Sequence, residues 1–411
     1  MRDVDSRGSA RSLSRREFHL LAAAAAVGAA GLGCGAGRGP AMALPAPALS
    51  GARSQVGLAG VRRGGGVGET ATALRRAVLA TTDLGWLSRG DTVLIKPVCN
   101  SGNVYPATTD PAALHAMIVL LREHGAGRVI VADMSGVQFV RFSPDRLSGS
   151  TRALMQNNGL LAAAEAAGGE VHCFEEHGWD AFFDEVPTRG ANWNMPLLLP
   201  AVLKEVDHIV LMPRCARHML AGSTLGLKAA VGWWRHDSRL EYHHVARTFA
   251  EKTAESNSTP TLLAKQRLVV SGATKVLTTF GPDEGYVSEP DTGLIIASES
   301  VVAHDMVSLA WLNENRQTTP VEKKDGVFDD PNQSALFAST ANRIVNLWLG
   351  GAGAAVTADG LEPWSIDSVW HDRVLHRAFE VFGGVPDLEL VDANGGVPAT
   401  LVDNLARATR L

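Results

Sequence analysis

The sequence predicts an α/β protein with a mostly parallel open sheet flanked by helices. Short apolar segments of strand length alternate with helix-length segments, and Gly, Pro or Asp residues separate most of them. Apolar residues make up 45% of the 411 residues and charged residues 20%, which is enough for a sizeable core.

The clearest unit is a strand, a helix and a second strand. Residues 91–98 form a short apolar strand. Thr109-Asp110-Pro111 is typical of a helix start, because Asp caps a first turn and Pro fits into it. Gly125 ends the helix, and residues 128–132 form the next strand, which leads into Asp133. This order predicts a parallel crossover.

The alternation continues along the chain. We predict further helices at 71–82, 152–167, 301–312, 342–348 and 371–382, and further strands at 170–174, 206–212, 267–270, 275–278, 293–297 and 387–391. Residues 51–75 are rich in Gly and Arg, so we expect order to begin near residue 71. Residues 316–333 are polar and predict a loop.

The N-terminus predicts export. Arg15 and Arg16 precede a weakly apolar run at 20–33, as in a twin-arginine signal, and the run is shorter than the roughly 20 residues that span a bilayer. We therefore expect the export machinery as a partner, and the periplasm or the outer face of the cytoplasmic membrane as the location. This route carries folded proteins, often with a cofactor. Cys34 is a candidate for lipid attachment, and cleavage near 41–43 is the alternative.

The expected organisation is a signal and linker at 1–50 and a single α/β domain at 51–411. The net charge is -5 and no basic stripe is present, so nucleic acid is not expected as a partner. Membrane contact is expected only through the signal or a lipid on Cys34. The sequence has no Gly-x-Gly-x-x-Gly fingerprint, P-loop or Gly-x-Ser-x-Gly elbow, which argues against the enzymes that use them.

Polar side chains follow several of the predicted strands. Lys96 and Asp133 end two of them, and Arg214 and His218 follow a third. Ligands of open α/β sheets bind beyond the carboxyl ends of strands, so we expect these side chains to meet. Lys96 would hold an anion, while Asp133 or His218 would move a proton.

Lys228 lies in the apolar segment 223–234. If Ser223 or Thr224 caps a helix there, the lysine lies near its positive end and needs an anionic partner. That partner is either a ligand or a protein carboxylate such as Asp133 or Asp305. A base with a lowered pKa is a further alternative.

Arg235, Arg239 and His243 follow at helical-turn spacing and predict a basic face. Arg214, Arg239 and His243 are thus candidates for binding an anionic cofactor. A solvated polar face is the alternative.

The cysteines offer a second hypothesis. Cys99 and Cys215 each follow a strand and a Pro-x step, and His218 stands three residues after Cys215. These three side chains are candidate ligands of a soft metal ion, and a disulfide or inert core cysteines are the alternatives. At most one disulfide can form among Cys99, Cys173 and Cys215.

Six segments in order resemble the family called domain of unknown function 362. They are Ile95-Lys96-Pro97, Thr109-Asp110-Pro111, Gly125-Ala126 with Asp133, Leu227-Lys228, Gly281-Pro282 and Ala303-His304-Asp305. The resemblance covers about 93–305 and leaves 316–411 as a C-terminal extension. Many relatives carry a cysteine-rich ferredoxin segment that this sequence lacks, so no iron–sulfur cofactor is implied.

Two functions remain open from the sequence. The first is an exported enzyme, a redox enzyme or isomerase, that binds an anionic substrate or a cofactor of unknown identity, with or without a metal ion. The second is a non-catalytic binding protein for a metal ion or small anion.

Overall fold

The computed structural model describes residue 44 and residues 47–324 and 334–411. The predicted twin-arginine signal and Cys34 lie outside these residues. None of the described helices is long and apolar enough to cross a membrane.

An eight-stranded sheet forms the centre of the fold. In chain order its strands are β1 (Leu49–Arg62), β2 (Thr92–Pro97), β3 (Arg128–Asp133), β4 (Glu170–Cys173), β5 (His208–Met212), β6 (Gln266–Ala273), β7 (Thr292–Ser298) and β8 (Val385–Asp392). Their order across the sheet is β8-β1-β7-β6-β5-β2-β3-β4. β7 runs antiparallel to its neighbours β1 and β6, and the other pairings are parallel. The predicted fold class is confirmed.

Helices flank this sheet. In chain order they are α1 (Val67–Leu79), α2 (Pro111–Glu123), α3 (Thr151–Asn158), α4 (Leu160–Ala166), α5 (Val202–Glu205), α6 (Gly226–Ala229), α7 (His236–His244), α8 (Phe249–Glu255), α9 (Pro260–Lys265), α10 (Val301–Thr318), α11 (Ala335–Thr357), α12 (Arg373–Phe382) and α13 (Ala399–Ala408). Short 3-10 turns lie at Phe174–His177, Ala230–Trp233, Ala246–Thr248, Ser256–Ser258 and Val321–Lys323.

Smaller sheets lie outside the centre. Arg141–Ser143 pairs with Arg146–Ser148, and Phe182–Glu185 pairs with Leu197–Pro200. A four-stranded sheet is built from Gly222–Thr224, Ala216–His218, Val276–Leu277 and Val287–Ser288.

The β2–α2–β3 unit shows how local chemistry builds the fold. The Asp110 carboxylate accepts the amide of Ala112 at 2.9 Å, and Pro111 occupies the first turn of α2. Gly125 follows the helix with φ +110°, a conformation that favours glycine. The chain then returns as β3, which pairs in parallel with β2.

Apolar side chains pack on both faces of the sheet. Leu94 belongs to one buried cluster, whereas its neighbours Val93 and Ile95 belong to another. This alternation follows from the two-residue period of a strand. Strands buried on both faces read as continuous apolar runs, which explains why they are recognisable in the sequence.

Three expectations about elements were wrong. Residues 49–62 are not flexible but form β1, the longest strand described. The helix predicted at 152–167 is two helices, because Gly159 interrupts it with φ +87°. α10 continues to Thr318, into the segment predicted as a loop.

Candidate functional site

A cavity of about 360 Å³ lies at the carboxyl ends of β2, β3 and β5. Side chains from the loops after these strands line it, together with residues of α6, α7, α11 and the loop 280–284. This is where open α/β sheets bind their ligands. Of the nine side chains that the sequence singled out, eight lie in its wall; they are Lys96, Cys99, Asp133, Arg214, His218, Lys228, Arg239 and His243.

Lys96 and Asp133 form a closed ion pair at the end of neighbouring strands. Lys96 Nζ lies 3.0 Å from Asp133 Oδ1, and each residue is 2% exposed. The Asp133 carboxylate also accepts the amides of Cys99 (2.8 Å) and Met134 (2.9 Å). Burial lowers the pKa of Lys96, and the Asp133 charge opposes that shift. A Cβ at Gly232 would lie 2.3 Å from Asp133 Oδ1, so only glycine allows this close approach.

Lys228 differs from Lys96 in its surroundings. It is half-buried on α6, and no ion-pair or hydrogen-bond partner for its ammonium is present among the described residues. Burial lowers its pKa to about 7, and the nearby charges of Arg214, Lys96 and Arg239 act in the same direction. The amine therefore lies in the cavity wall without a compensating negative charge.

The two carboxylates considered as partners of Lys228 are engaged elsewhere. Asp133 pairs with Lys96, as described above. Asp305 accepts the amides of Gly226 (2.8 Å) and Leu227 (2.7 Å) at the start of α6. Asp305 is thus the side chain that caps this helix. The cap considered at Ser223 or Thr224 does not form, because both residues lie in a short strand. Asp305 positions Lys228 without neutralising it.

Arg214 brings a second buried cation to the cavity. It is 1% exposed, and its Nη1 donates to the carbonyl of Pro282. Its Nε is buried and has no hydrogen-bond partner among the described residues. Burial lowers its pKa to about 10, and the charge of Asp283 opposes the shift. An unsatisfied buried donor in a cavity wall is costly unless a ligand completes it.

Arg239 is satisfied within the protein. Its Nη1, Nη2 and Nε donate to the carbonyls of Ser135 (2.6 Å), Met134 (2.7 Å) and Trp234 (2.9 Å). These bonds tie the loop after β3 to α7. The predicted basic face does not form as one surface. Arg239 and His243 line the cavity, whereas the Arg235 guanidinium stacks on Trp179 and forms an ion pair with Asp237.

Two neutral histidines of opposite tautomer complete the polar wall. His218 Nδ1 accepts the amides of Leu220 (3.1 Å) and Ala221 (3.2 Å), which assigns its proton to Nε2. His243 Nδ1 lies 2.8 Å from Asn342 Oδ1, so it donates and its Nε2 keeps a lone pair. Burial holds the pKa of His218 well below its usual range and lowers that of His243 to about 3. The pair thus offers one donor and one acceptor.

The family model called domain of unknown function (DUF362) matches residues 93–310, just over half of the 411 residues. The chain belongs to the DUF362 family. The match spans the strands and loops that carry Lys96, Asp133, Arg214 and Lys228. No curated protein matches this DUF362 chain.

Two solved structures are similar to the chain. A Thermotoga maritima protein has 14% identity and a TM-score of 0.36, over 61% of this chain and 58% of its own. The lactate racemase apoprotein from Thermoanaerobacterium thermosaccharolyticum has 14% identity and a TM-score of 0.32, over 57% of this chain and 52% of its own. The chain therefore spans less than two thirds of either protein.

The metal site predicted on Cys99, Cys215 and His218 is not assembled in this DUF362 protein. Cys99 and Cys215 pack in different apolar clusters, and the Cys215 thiol lies 3.3 Å from the carbonyl of Ser308, away from the cavity. Across residues 47–324 and 334–411, no group of three or more His, Cys, Asp or Glu side chains is arranged to hold a metal ion. Cys99, Cys173 and Cys215 are all buried free thiols.

Several residues of the cavity wall were not predicted from the sequence. α11 contributes Val345, Trp348 and Leu349, although the sequence indicated only a helix there. Asp283, in the turn that follows Gly281-Pro282, accepts from Asn100 Nδ2 at 2.8 Å beside the cavity. The apolar face of α11 was the available signal, but it did not show where the helix packs.

Proposed function

We propose that this DUF362 protein is an enzyme that binds a small organic anion in the cavity and moves a proton on it. Lys228 is the observation that supports the anion most strongly. Its half-buried ammonium lacks a counter-charge among the described residues, and the charge of buried Arg214 acts on it. A ligand carboxylate or phosphate would supply the missing negative charge near Lys228 and Arg214.

The geometry also suggests which groups handle the proton. Asp133 already accepts from Lys96 and from two amides, so it has little capacity left to exchange a proton with a ligand. His218 and His243 each keep one ring nitrogen free of protein partners in the described structure. One neutral imidazole donates and the other accepts, and a bound anion would raise their low pKa values toward the range that suits general acid–base catalysis.

Anion binding is tested by calorimetry with acetate and with inorganic phosphate, each at constant ionic strength. We expect at least one of them to bind, and Lys228→Met to weaken binding at least tenfold. Lys204→Met is the matched control, because Lys204 is exposed on α5 and does not line the cavity. If neither anion binds, or if both lysine variants bind equally, the proposal is wrong.

Proton transfer is tested with pyruvate, an anion whose methyl hydrogens are acidic. We expect the protein to accelerate their exchange in D₂O, followed by proton NMR. His243→Gln should slow that exchange by about 100-fold or more while pyruvate still binds. Binding without any acceleration would favour the alternative, a non-catalytic anion-binding protein.

We further propose that the chain is exported by the twin-arginine route, as the pair Arg15 and Arg16 suggests. Replacing both by lysine should leave the protein in the cytoplasm when cell fractions are compared. An unchanged distribution would refute this.

A further inference from the structure

The cavity has an apolar wall that the proposed anion site does not use. α11 presents Ala341, Val345, Trp348 and Leu349 to it, at spacings of four, three and one residues along one helical face. Val345, Trp348 and Leu349 are only half-buried in the protein as it stands. Their apolar surface is therefore available to a molecule in the cavity.

This wall is held in a fixed position beside the polar groups. The Nδ2 atoms of Asn342 and Asn346 both donate to the carbonyl of His243, at 2.7 and 3.0 Å. Both asparagines are fully buried, and α11 packs along α7. The apolar face of α11 is thus attached to the same helix that carries His243 and Arg239.

Further apolar side chains extend the wall from other segments. Val137 and Phe139 come from the loop after β3, and Leu220 and Phe280 come from loops near Arg214 and His218. The cations and histidines therefore share the cavity with aliphatic and aromatic surface from separate parts of the chain. Ligand sites commonly combine a few polar groups with such a lining.

The size of the cavity excludes a bare anion as a complete occupant. Its volume of about 360 Å³ falls within the range of small-molecule sites, about 300–1,000 Å³. A water molecule accounts for about 30 Å³, so a four- or five-atom anion would fill only part of the space. The remainder adjoins the apolar wall.

We infer that the anion is amphipathic: its carboxylate or phosphate binds Lys228 and Arg214, and an apolar body lies against Trp348 and Val345. This rests on the proposed function and adds the class of substrate. An aromatic or a medium-length aliphatic body would fit, because the Trp348 indole and the branched Val345 side chain can pack against either kind. A strongly hydrated polar body, such as a sugar, does not.

Calorimetry on the full chain with sodium acetate, butanoate and hexanoate tests this inference. Each methylene that becomes buried should strengthen binding about fourfold. Monomethyl and monohexyl phosphate form a parallel series that distinguishes a phosphate head group from a carboxylate. Hexanol should bind far more weakly than hexanoate, because it lacks the charge.

Trp348→Ala should cut the ratio of hexanoate to acetate affinity by about tenfold. Leu347→Ala is the matched control, because Leu347 neighbours Trp348 on α11 but is exposed and does not line the cavity. That variant should keep the wild-type ratio. Lys228→Met should weaken acetate and hexanoate to a similar extent.

Flat affinities across both series, with binding still dependent on Lys228, would overturn this inference and leave the proposed function intact. A Trp348→Ala variant that keeps the full chain-length dependence would also overturn it. If no member of either series binds, the proposed function fails and the inference falls with it.

Discussion

Two lysines on helices that pack together, Lys252 on α8 and Lys228 on α6, have opposite surroundings. Lys252 is fully buried, with its Nζ 3.4 Å from Glu241 Oε1 and 3.3 Å from the Glu241 carbonyl. Glu241 in turn accepts the amides of Asn194 and Met195. Lys228 has no such partner among the described residues.

This difference separates a structural charge from one that is available to a ligand. Folding places a charge in the interior at a high cost, and proteins normally compensate it with a partner and hydrogen bonds. The region around Lys252 follows that rule, and the nearby pair of Glu255 and Arg377, at 2.7 Å, follows it as well. The cavity departs from it at Lys228 and at Arg214, and a ligand anion is the partner that would restore it.

The largest expected effect is on the structural lysine. Lys252→Met should lower the free energy of unfolding by about 3–5 kcal/mol, because the Glu241 carboxylate loses its buried counter-charge. Urea denaturation measures this change. Lys252→Met combined with Glu241→Gln should recover part of the loss. A single variant that loses less than about 1 kcal/mol would show that the pair at Lys252 is not structural.

The second prediction concerns Lys228, where a substitution should stabilise the protein instead of destabilising it. At pH 6, Lys228→Met should raise the free energy of unfolding by about 1–3 kcal/mol, because it removes a charge that the folded protein disfavours. The pKa of Lys228 is about 7 in the folded protein and near 10.5 ordinarily, and the partial exposure of its side chain to solvent reduces the energy that this shift implies. Anion binding should be lost in the same variant.

The stability difference between the wild type and Lys228→Met should depend on pH. Below pH 7, Lys228 is charged in both the folded and unfolded states, and its full cost is present. Between about pH 7 and 10.5, the folded protein binds fewer protons than the unfolded chain, so wild-type stability rises with pH. The advantage of Lys228→Met should therefore shrink from pH 6 to pH 9. A constant difference across that range would mean that the amine does not titrate as its surroundings imply.

The sequence indicated the central strands because their apolar runs are local signals. It did not indicate β1, whose partners β7 and β8 lie more than 200 residues further along the chain. The glycines there suggested flexibility, yet they allow close packing. A Cβ at Gly57 would lie 2.2 Å from the carbonyl oxygen of Ala77, and one at Gly60 would lie 2.2 Å from that of Gly396.

The carboxyl-end rule predicted that Lys96, Asp133 and Arg214 would come together, since these residues end or follow parallel strands. The rule did not predict which of two neighbouring residues, such as Arg214 and Cys215, would face the cavity. Arg214 lines the cavity, whereas the Cys215 side chain packs in the core. The contribution of α11 was not predictable, because Trp348 reaches the cavity through tertiary packing against α7.

The smallest expected effect concerns the residue that places Lys228. Asp305→Asn should lower stability by about 1–2 kcal/mol, because an amide cannot accept both the Gly226 and Leu227 amides through two oxygens. Anion affinity should fall about fivefold if α6 shifts, which corresponds to about 1 kcal/mol. Calorimetry and urea denaturation measure the two quantities separately.

Asp110→Asn is the matched control for Asp305→Asn. Asp110 is also buried at a helix start, but an asparagine oxygen can still accept the Ala112 amide. Anion affinity should therefore be unchanged there. If Asp305→Asn loses stability while anion affinity stays at the wild-type level, Asp305 is only a helix cap. A loss of both stability and anion affinity would mean that Asp305 also positions Lys228 for anion binding. Its carboxylate would then hold the backbone at the start of α6 while the Lys228 ammonium stays free for the ligand.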